Sequence, residues 1–425
     1  MNKHKKNLIC ALLSVPIGVV IGITAGLFGQ ALHIAEEFRI EHYIYIVPLL
    51  GLSGVFILFL YKRFSPHSEQ GLNYAIAYNM GAAGNDGKVA KNLNKYTQRL
   101  GKYPKAYALL KLISNITMLF FGASTGKEGS FAAFGASIGD YFARVTNTRK
   151  YSRILLITGV SAAVSGLFQT PLGGIFFALE FTAAGIMAYS ALVPAAIASY
   201  LSFWFSKLCG FNAFSYSVNA DLALTFKSVF AIIVCAVLFG IIGKAFALML
   251  QKLHKFYNSK VKNRYLGIFI IGTAVAILML FTHSGRYCGT GANMISQLFF
   301  NGEFKIYDFA LKIVFTLICI TIGFSGGEMM PLLTIGATLG ATLSVLFGLP
   351  LELTAAMGCL AVYASATNTL VAPIFIGIEM FGTDAALYIA AACVIAYAIN
   401  GNTSVYSMQG SIPDGIYSII RRYSK

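Results

Sequence analysis

Residues 126–140, GKEGSFAAFGASIGD, return in altered form at 327–341, GEMMPLLTIGATLGA. Gly126, Gly135, Ala136 and Gly139 fall on Gly327, Gly336, Ala337 and Gly340, while Ser137 and Ile138 fall on Thr338 and Leu339. A second pair of stretches follows at nearly the same separation. Residues 161–181, SAAVSGLFQTPLGGIFFALEF, align with 360–380, LAVYASATNTLVAPIFIGIEM, and share Thr170/Thr369, Ile175/Ile374, Phe176/Phe375 and Glu180/Glu379. Two blocks in the same order and at matched spacing indicate an internal duplication, roughly 20–210 and 225–410, within a single transmembrane domain.

The composition says where such a chain lives. Of its 425 residues 57% are hydrophobic and 11% charged, and mean hydropathy is +0.71, which is the balance of a chain built for lipid. Apolar runs at 7–33, 44–60, 106–123, 225–250, 264–282, 308–323 and 384–399 are mostly of a length to cross a hydrocarbon core of about 30 Å as helices. The expected fold is an all-α integral membrane protein with more than ten membrane helices. The first run follows a basic Met1–Lys6 segment but continues past Leu27 without a small-residue cleavage site, so it reads as a retained span rather than a signal peptide.

The net charge of +16 need not mean nucleic acid, because the cations gather in a few hydrophilic segments. Lys3, Lys5 and Lys6 at one end, Arg421, Arg422 and Lys425 at the other, and the segments Lys88–Lys105 and Lys252–Arg264 between them follow the positive-inside pattern. A multi-pass protein of the plasma membrane with both termini in the cytoplasm is expected. The seven cysteines are scattered through apolar stretches with no CxxC or Cys/His cluster, which argues against disulfides or zinc and for small buried apolar side chains. No hydrolase, nucleotide-binding or metalloprotease pattern is present and the six histidines are dispersed, so neither an enzyme nor a cofactor is expected.

Gly-rich segments near 122–130, 323–331 and 400–407 interrupt apolar runs. At membrane depth, unwound backbone is tolerated only where it lines a cavity or is buried in protein. A helix that starts just after such a break offers free N–H groups and the positive end of its dipole to an anion, the arrangement common in transporters with inverted repeats. Glu128 sits in such a break, flanked by Gly126, Lys127 and Gly129. Its carboxylate is costly when ionised there, so it can take up a proton, and it competes with an anion for the same N–H groups. The alternative reading is a carboxylate stabilised by the helix dipole. Glu328, followed by Met329 and Met330, is a second intramembrane carboxylate at a helix start and carries the same two readings. Glu180 and Glu379 end their runs at matching repeat positions and read as shared scaffolding. Tyr406, in NGNTSVYSMQG, is either one of 23 tyrosines at a membrane interface or a site hydroxyl set behind a break.

These segments resemble the CLC family of anion channels and proton-coupled antiporters. GKYPKAYALLKLISNITMLFFGASTGKEGSFAAFGASIG at 101–139 is similar to the family's approach to its GREGP motif, with Lys127 for Arg and Ser130 for Pro. QTPLGGIFFALE, GEMMPLLTIGATLG, ATNTLVAPIFIGIEMFG and NTSVYSMQ follow in the family's order, so the resemblance covers roughly 100–410. It implies a homodimer with one pathway per subunit, inverted repeats with broken and re-entrant helices, Glu128 as gating glutamate and Tyr406 as central tyrosine.

The departures point to a branch. Chloride-transporting relatives carry a GxFxP-type motif where this chain has Gly327-Glu328-Met329-Met330-Pro331, and an acid after the glycine resembles the fluoride/proton antiporters, as do RYCGTG at 286–291 and VYSMQ. Phe181 stands where chloride/proton antiporters place the glutamate of their intracellular proton route, a loss that Glu328 could make good. The segment replacing GSGIP is Glu69-Gln70-Gly71-Leu72-Asn73; the fluoride branch tends to have Met where Gln70 stands, and Met80 is its rival for the place facing the anion. The expected function is therefore fluoride export coupled to protons, with Glu128 and Glu328 handling protons and Tyr406, Gly126, Lys127, Gly129, Met329, Met330 and either Gln70 or Met80 surrounding the anion. A chloride-selective antiporter or channel is the alternative, and a transporter of organic solutes a more distant one. Only 19 residues follow Tyr406, so no soluble regulatory domain is expected there.

Overall fold

A computed structural model of the chain describes residues 3–65, 71–73, 75–76, 107–213, 215–223 and 225–409. Among these residues the fold is helical, with fifteen helices of ten residues or more. In the first half they are α1 (Lys3–Glu41), α2 (Leu50–Phe64), α3 (Tyr107–Phe120), α4 (Glu128–Val145), α5 (Ser152–Phe168), α6 (Pro171–Glu180) and α7 (Leu192–Leu208). In the second they are α8 (Phe226–Lys260), α9 (Arg264–Phe281), α10 (Ala292–Asn301), α11 (Asp308–Thr321), α12 (Met329–Phe347), α13 (Leu351–Thr367), α14 (Val371–Phe381) and α15 (Ala386–Asn400).

The elements begin and end where local chemistry requires. Pro171 occupies the first turn of α6, where a missing N–H removes nothing from the helix. Thr225 and Ser228 form a reciprocal capping box at the start of α8, and Asn263 accepts from the N–H groups of Tyr265 and Leu266 to start α9. Helices α5 and α13 both end on a non-glycine residue in the left-handed region, Gln169 with φ 56° and Asn368 with φ 55°. These two residues correspond across the repeat, as do Gly122 (φ 90°) and Gly323 (φ 97°). Helices α3 and α11, and α5 and α13, start and stop at corresponding residues as well.

Helices α5 and α13 are apolar all round and form the middle of the molecule. Every residue of α5 except Arg153, and every residue of α13 after Glu352, is buried. Small residues let the neighbours close in. An added Cβ on Gly135 of α4 would collide with the Gly159 carbonyl of α5, and one on Gly336 of α12 with the Gly358 carbonyl of α13, so the same close crossing is made in each half. Helices α1, α2, α7, α8 and α9 lie outside and expose Leu12, Phe56, Trp204, Phe230 and Ile270 among many others, a density of exposed apolar side chains suited to lipid.

Among the described residues, seven helical stretches are long and apolar enough to cross a membrane. The runs at 106–123, 308–323 and 384–399 fall short of that, because their helices have 14, 14 and 15 residues. The first two end at Gly-rich breaks, and a new helix starts beyond each. They are halves of broken helices, which corrects the expectation that these runs cross unaided.

The breaks meet. Gly126 and Gly327 form an isolated antiparallel bridge, with Gly126 N–H donating to Gly327 O at 2.5 Å and Gly327 N–H to Gly126 O at 2.9 Å. A residue that pairs reciprocally with its own repeat equivalent lies on a local two-fold axis. Two other contacts obey the same axis. Phe176 stacks on its equivalent Phe375, with ring centroids 4.4 Å apart. The Glu180 carboxylate accepts from Leu370, Val371 and Ala372 N–H at the start of α14 at 2.9–3.1 Å, while Glu379 accepts from Leu172 and Gly173 N–H at the start of α6, each at 2.9 Å. Each half therefore caps a helix of the other, in inverted sense.

Candidate functional site

The bridge brings the N-termini of α4 and α12 to one point. Their first N–H groups have no acceptor one turn back, and the side chains set beside them are those of Glu128 and Glu328. Glu128 opens α4 and is 2% exposed. Its carboxylate folds back over the bridge, so that a Cβ added to Gly126 would stand 2.7 Å from Glu128 Oε2. The N–H groups of Lys127, Glu128 and Met330 face this carboxylate, yet neither oxygen completes a hydrogen bond of good geometry. A buried carboxylate left in that condition is expensive to hold ionised.

Glu328 occupies the N-cap of α12 without making a side-chain cap hydrogen bond. It is half-buried, and the Tyr406 hydroxyl faces its carboxylate. Tyr406 is 5% exposed, which removes it from the interface belt. Its segment is held in place by Val405 N–H donating to Ala366 O at 2.9 Å, Ser404 Oγ to Thr367 O at 3.1 Å, and Gln251 Nε2 to Ser404 O at 2.7 Å.

Three cavities among the described residues adjoin these groups or their chain neighbours. The largest, about 630 Å3, reaches inward from a rim that includes His254, Lys255, Asn258 and Arg264, and ends on Gly327, Glu328 and Tyr406. A small space of about 10 Å3, room for one water-sized species, is lined by both Glu128 and Glu328, and Leu72, Val164, Phe177, Met329 and Tyr406 also wall it. Beyond it is a third space of about 20 Å3 among Lys127, Phe168, Tyr216, Met330 and Met380. Glu328 and Tyr406 line both the broad cavity and the narrow one, and Glu128 lines the narrow one, so two carboxylates able to hold a proton and a phenol able to donate to an anion share its wall.

Most of the residues singled out in the sequence converge here, with different parts. Met329 walls the central space and Met330 the third one, and the Met330 N–H faces Glu128. Gly129 lets α4 approach the partner strand, since a Cβ there would meet Gly327 Cα at 2.8 Å. The Lys127 ammonium points away from the centre and lies over the Phe211 ring, 5.4 Å from its centroid. Gly126 requires a correction. Its N–H is spent on Gly327 and its carbonyl accepts from Gly327 N–H and from Asn115 Nδ2 at 3.1 Å, so it joins the two halves and offers an anion no donor. Gln70 and Met80 lie outside the described residues. Their described neighbour Leu72 does reach the central space, and Asn73 Oδ1 accepts from Met408 N–H at 3.3 Å. Phe181 is fully buried and stacks on Phe177 with centroids 5.7 Å apart, so no acid stands at that position.

Three buried groups escaped the sequence reading. Lys111 and Lys312 are repeat equivalents, 2% and 0% exposed; Lys312 donates to Tyr287 O at 3.2 Å and Gly289 O at 2.8 Å. The match of Leu110-Lys111-Leu112 with Leu311-Lys312-Ile313 would have exposed the pair had the alignment been carried further upstream. The third is Tyr363, which no motif flags.

Comparison with known proteins places this architecture. A family model described as voltage gated chloride channel matches residues 53–401. A chloride/fluoride channel protein of Pseudomonas syringae pv. tomato is 33% identical over 305 residues, 70% of this chain and 67% of the relative. An H(+)/Cl(-) exchange transporter, ClcA, of Klebsiella pneumoniae is 22% identical over 366 residues, 80% of this chain and 73% of that one. The crystal structure of a CLC-type fluoride/proton antiporter matches with a TM-score of 0.88 at 32% identity, covering 95% of this chain and 98% of that one. That of a slow cyanobacterial Cl-/H+ antiporter matches at 0.77 and 19% identity over 98% and 97%, a likeness of fold.

Proposed function

This chain belongs to the CLC family, and from that premise we propose that it exports fluoride from the cytoplasm in exchange for protons. The observation that carries the proposal is the buried, poorly bonded Glu128 carboxylate in the wall of the central space that Glu328 and Tyr406 also line. The 33% identity to a protein named for chloride and fluoride, and the 32% identity to a fluoride/proton antiporter, support fluoride as the anion. So does the absence of an acid at Phe181, which leaves Glu328 as the carboxylate nearest the broad cavity.

In this reading the anion enters from the broad cavity and occupies the central space between the helix-start N–H groups at Met329 and Met330 and the Tyr406 hydroxyl. Protonation of Glu128 removes its negative charge and lets it leave the N–H groups to the anion. Deprotonation returns the carboxylate and displaces the anion. Glu328 takes the proton onward. Fluoride suits the task because it is a small, strong hydrogen-bond acceptor, and because hydrogen fluoride is a weak acid that enters cells uncharged and then ionises. An exporter driven by inward protons empties that trap. The protein acts as a homodimer with one pathway per subunit, and both termini face the cytoplasm along with the Lys255 and Arg264 rim.

The test is anion efflux from proteoliposomes loaded with fluoride or chloride while proton uptake is followed. Fluoride-selective efflux with coupled protons is expected, and Glu128→Gln should abolish the coupling. Proton-driven fluoride movement that persists in this variant overturns the mechanism. A second reading, chloride/proton exchange, is favoured by the similarity to H(+)/Cl(-) exchange transporters, and chloride-preferring efflux would select it.

A further inference from the structure

The two broken helices end alike, but their surroundings differ, and the difference lies in the wall of the broad cavity. Helix α3 is turned out at Gly122 and α11 at its repeat equivalent Gly323, both at positive φ. A carbonyl at the end of each is met in the same way. Arg39 donates to Leu119 O at 2.6 Å, and the His254 ring faces the carbonyl of Ile320, the equivalent of Leu119. Such contacts are what a helix end at membrane depth needs. Beyond them the halves part. Around Gly122 stand Val47 and Cys288, an apolar setting, whereas the Arg264 guanidinium lies against Gly323, with Nη2 3.5 Å from where a Cβ would be. The exchange is repeated two residues earlier, where Phe120 of α3 is matched by Thr321 of α11. Thr321 is 8% exposed, and its hydroxyl has no hydrogen-bond partner.

Arg264, Thr321 and Gly323 all line the broad cavity, as does Lys255, and among the described residues of its lining Glu328 is the one acid. The fold does not ask for this. Arg264 is the first residue of α9, the positive end of that helix's dipole, where a cation is unfavourable. A buried hydroxyl without a partner costs stability as well, and the first half makes the same break with neither group.

We propose that Arg264 and Thr321 form a receiving site for a small monovalent anion in the wall of the broad cavity, separate from the central space, where the anion is captured before it moves inward to Glu328 and Tyr406. This rests on the export reading above, which opens the cavity to the cytoplasm. The guanidinium supplies a fixed charge and several N–H donors, and the anion gives the Thr321 hydroxyl its acceptor. A cleft lined by one sign of charge raises the local concentration of counter-ions. At about 630 Å3 the cavity sets no limit on anion size, so this site takes chloride as readily as fluoride, and discrimination belongs to the central space of about 10 Å3.

The test is the initial rate of anion efflux from proteoliposomes of the full-length protein, measured against internal sodium fluoride and, in parallel, sodium chloride, at a fixed pH gradient and at low and high ionic strength set with sodium gluconate. Arg264→Gln should raise the half-saturating fluoride concentration about threefold to tenfold, the lower part of what a singly charged cleft supplies, while the maximal rate falls by less than about twofold. Arg264→Lys should recover most of the loss, and the gap between wild type and Arg264→Gln should close at high ionic strength. Thr321→Val, which keeps the shape of the side chain, should raise half-saturation about threefold. If Arg264→Gln does not fold, the wild type carries the test, since its own half-saturation should rise with ionic strength. An unchanged half-saturation in both variants overturns the assignment, as does a loss confined to the maximal rate, which would mean that Arg264 only supports the break at Gly323. A wild type that moves chloride and not fluoride overturns the fluoride reading instead, and the salt dependence read with chloride then still tests Arg264.

Discussion

Glu180→Gln separates scaffold from transport. The Glu180 carboxylate accepts four contacts of 2.9–3.1 Å from three N–H groups at the start of α14. One amide oxygen cannot serve all three, and the new NH2 group faces donors. At least one buried N–H loses its acceptor, at about 1–3 kcal/mol. The helix start also loses its neutralising charge, at about 0.3–1 kcal/mol or more when buried. The sum is on the order of 3 kcal/mol. With an unfolding entropy of ~2.1 cal/mol/K per residue, 425 residues convert this into a fall in melting temperature of about 3 °C. Glu379→Gln touches two N–H groups and a less enclosed helix start, so it should lower the midpoint by about 1 °C. Thermal unfolding of the purified protein in detergent measures both, and proteoliposome flux under the same preparation measures transport. The expected pattern is reduced stability with proton coupling intact. A Glu180→Gln protein that melts like the wild type but no longer couples protons would place this carboxylate on the proton route and refute the scaffold argument.

Other perturbations follow from the same geometry. Gly327→Ala places a Cβ 2.7 Å from Gly129 N, against backbone that cannot swing away; the bridge must open, at about 1–3 kcal/mol, and flux should fall by more than tenfold while the helical circular dichroism signal is retained. Asp308 is fully buried and accepts from Arg286 Nε and Nη2 at 3.3 and 2.8 Å, from the Tyr287 hydroxyl at 2.8 Å and from Lys305 N–H at 3.0 Å. Asp308→Asn leaves the Arg286 guanidinium without its counter-charge and should lower stability by about 3–5 kcal/mol, read as a loss of monodisperse protein on size-exclusion chromatography at temperatures the wild type tolerates.

The residues themselves carried a good deal. Composition gave the membrane, and spacing gave the repeat, because both are properties of a chain read in order. Glu128 and Glu328 stood out since a carboxylate in an apolar run beside a Gly-rich break has few bland explanations, and both lie at the meeting of the two helix starts. The failures have a common origin. The 14-residue helices at 107–120 and 308–321 look like spans until Gly122 and Gly323 turn the chain out of them. Gly126 looked like an anion donor until its N–H was found on Gly327, about 200 residues away. Tyr363 is one tyrosine among 23, and no local pattern distinguishes it.

A repeat in sequence fixes that two halves share a structure but leaves open how they face one another. The inverted pair sets Gly126 on Gly327, Phe176 on Phe375, and each glutamate on the other half's helix. Hydrophobic periodicity and motif spacing act over a turn or two of helix, and they determined the class, the duplication and the candidate acids. The relative orientation of the halves is set by close packing and by the need of unwound backbone at membrane depth to find partners. Those requirements are met only between residues far apart in the chain, so the tertiary structure alone decided which N–H groups, carboxylates and hydroxyls share the central space.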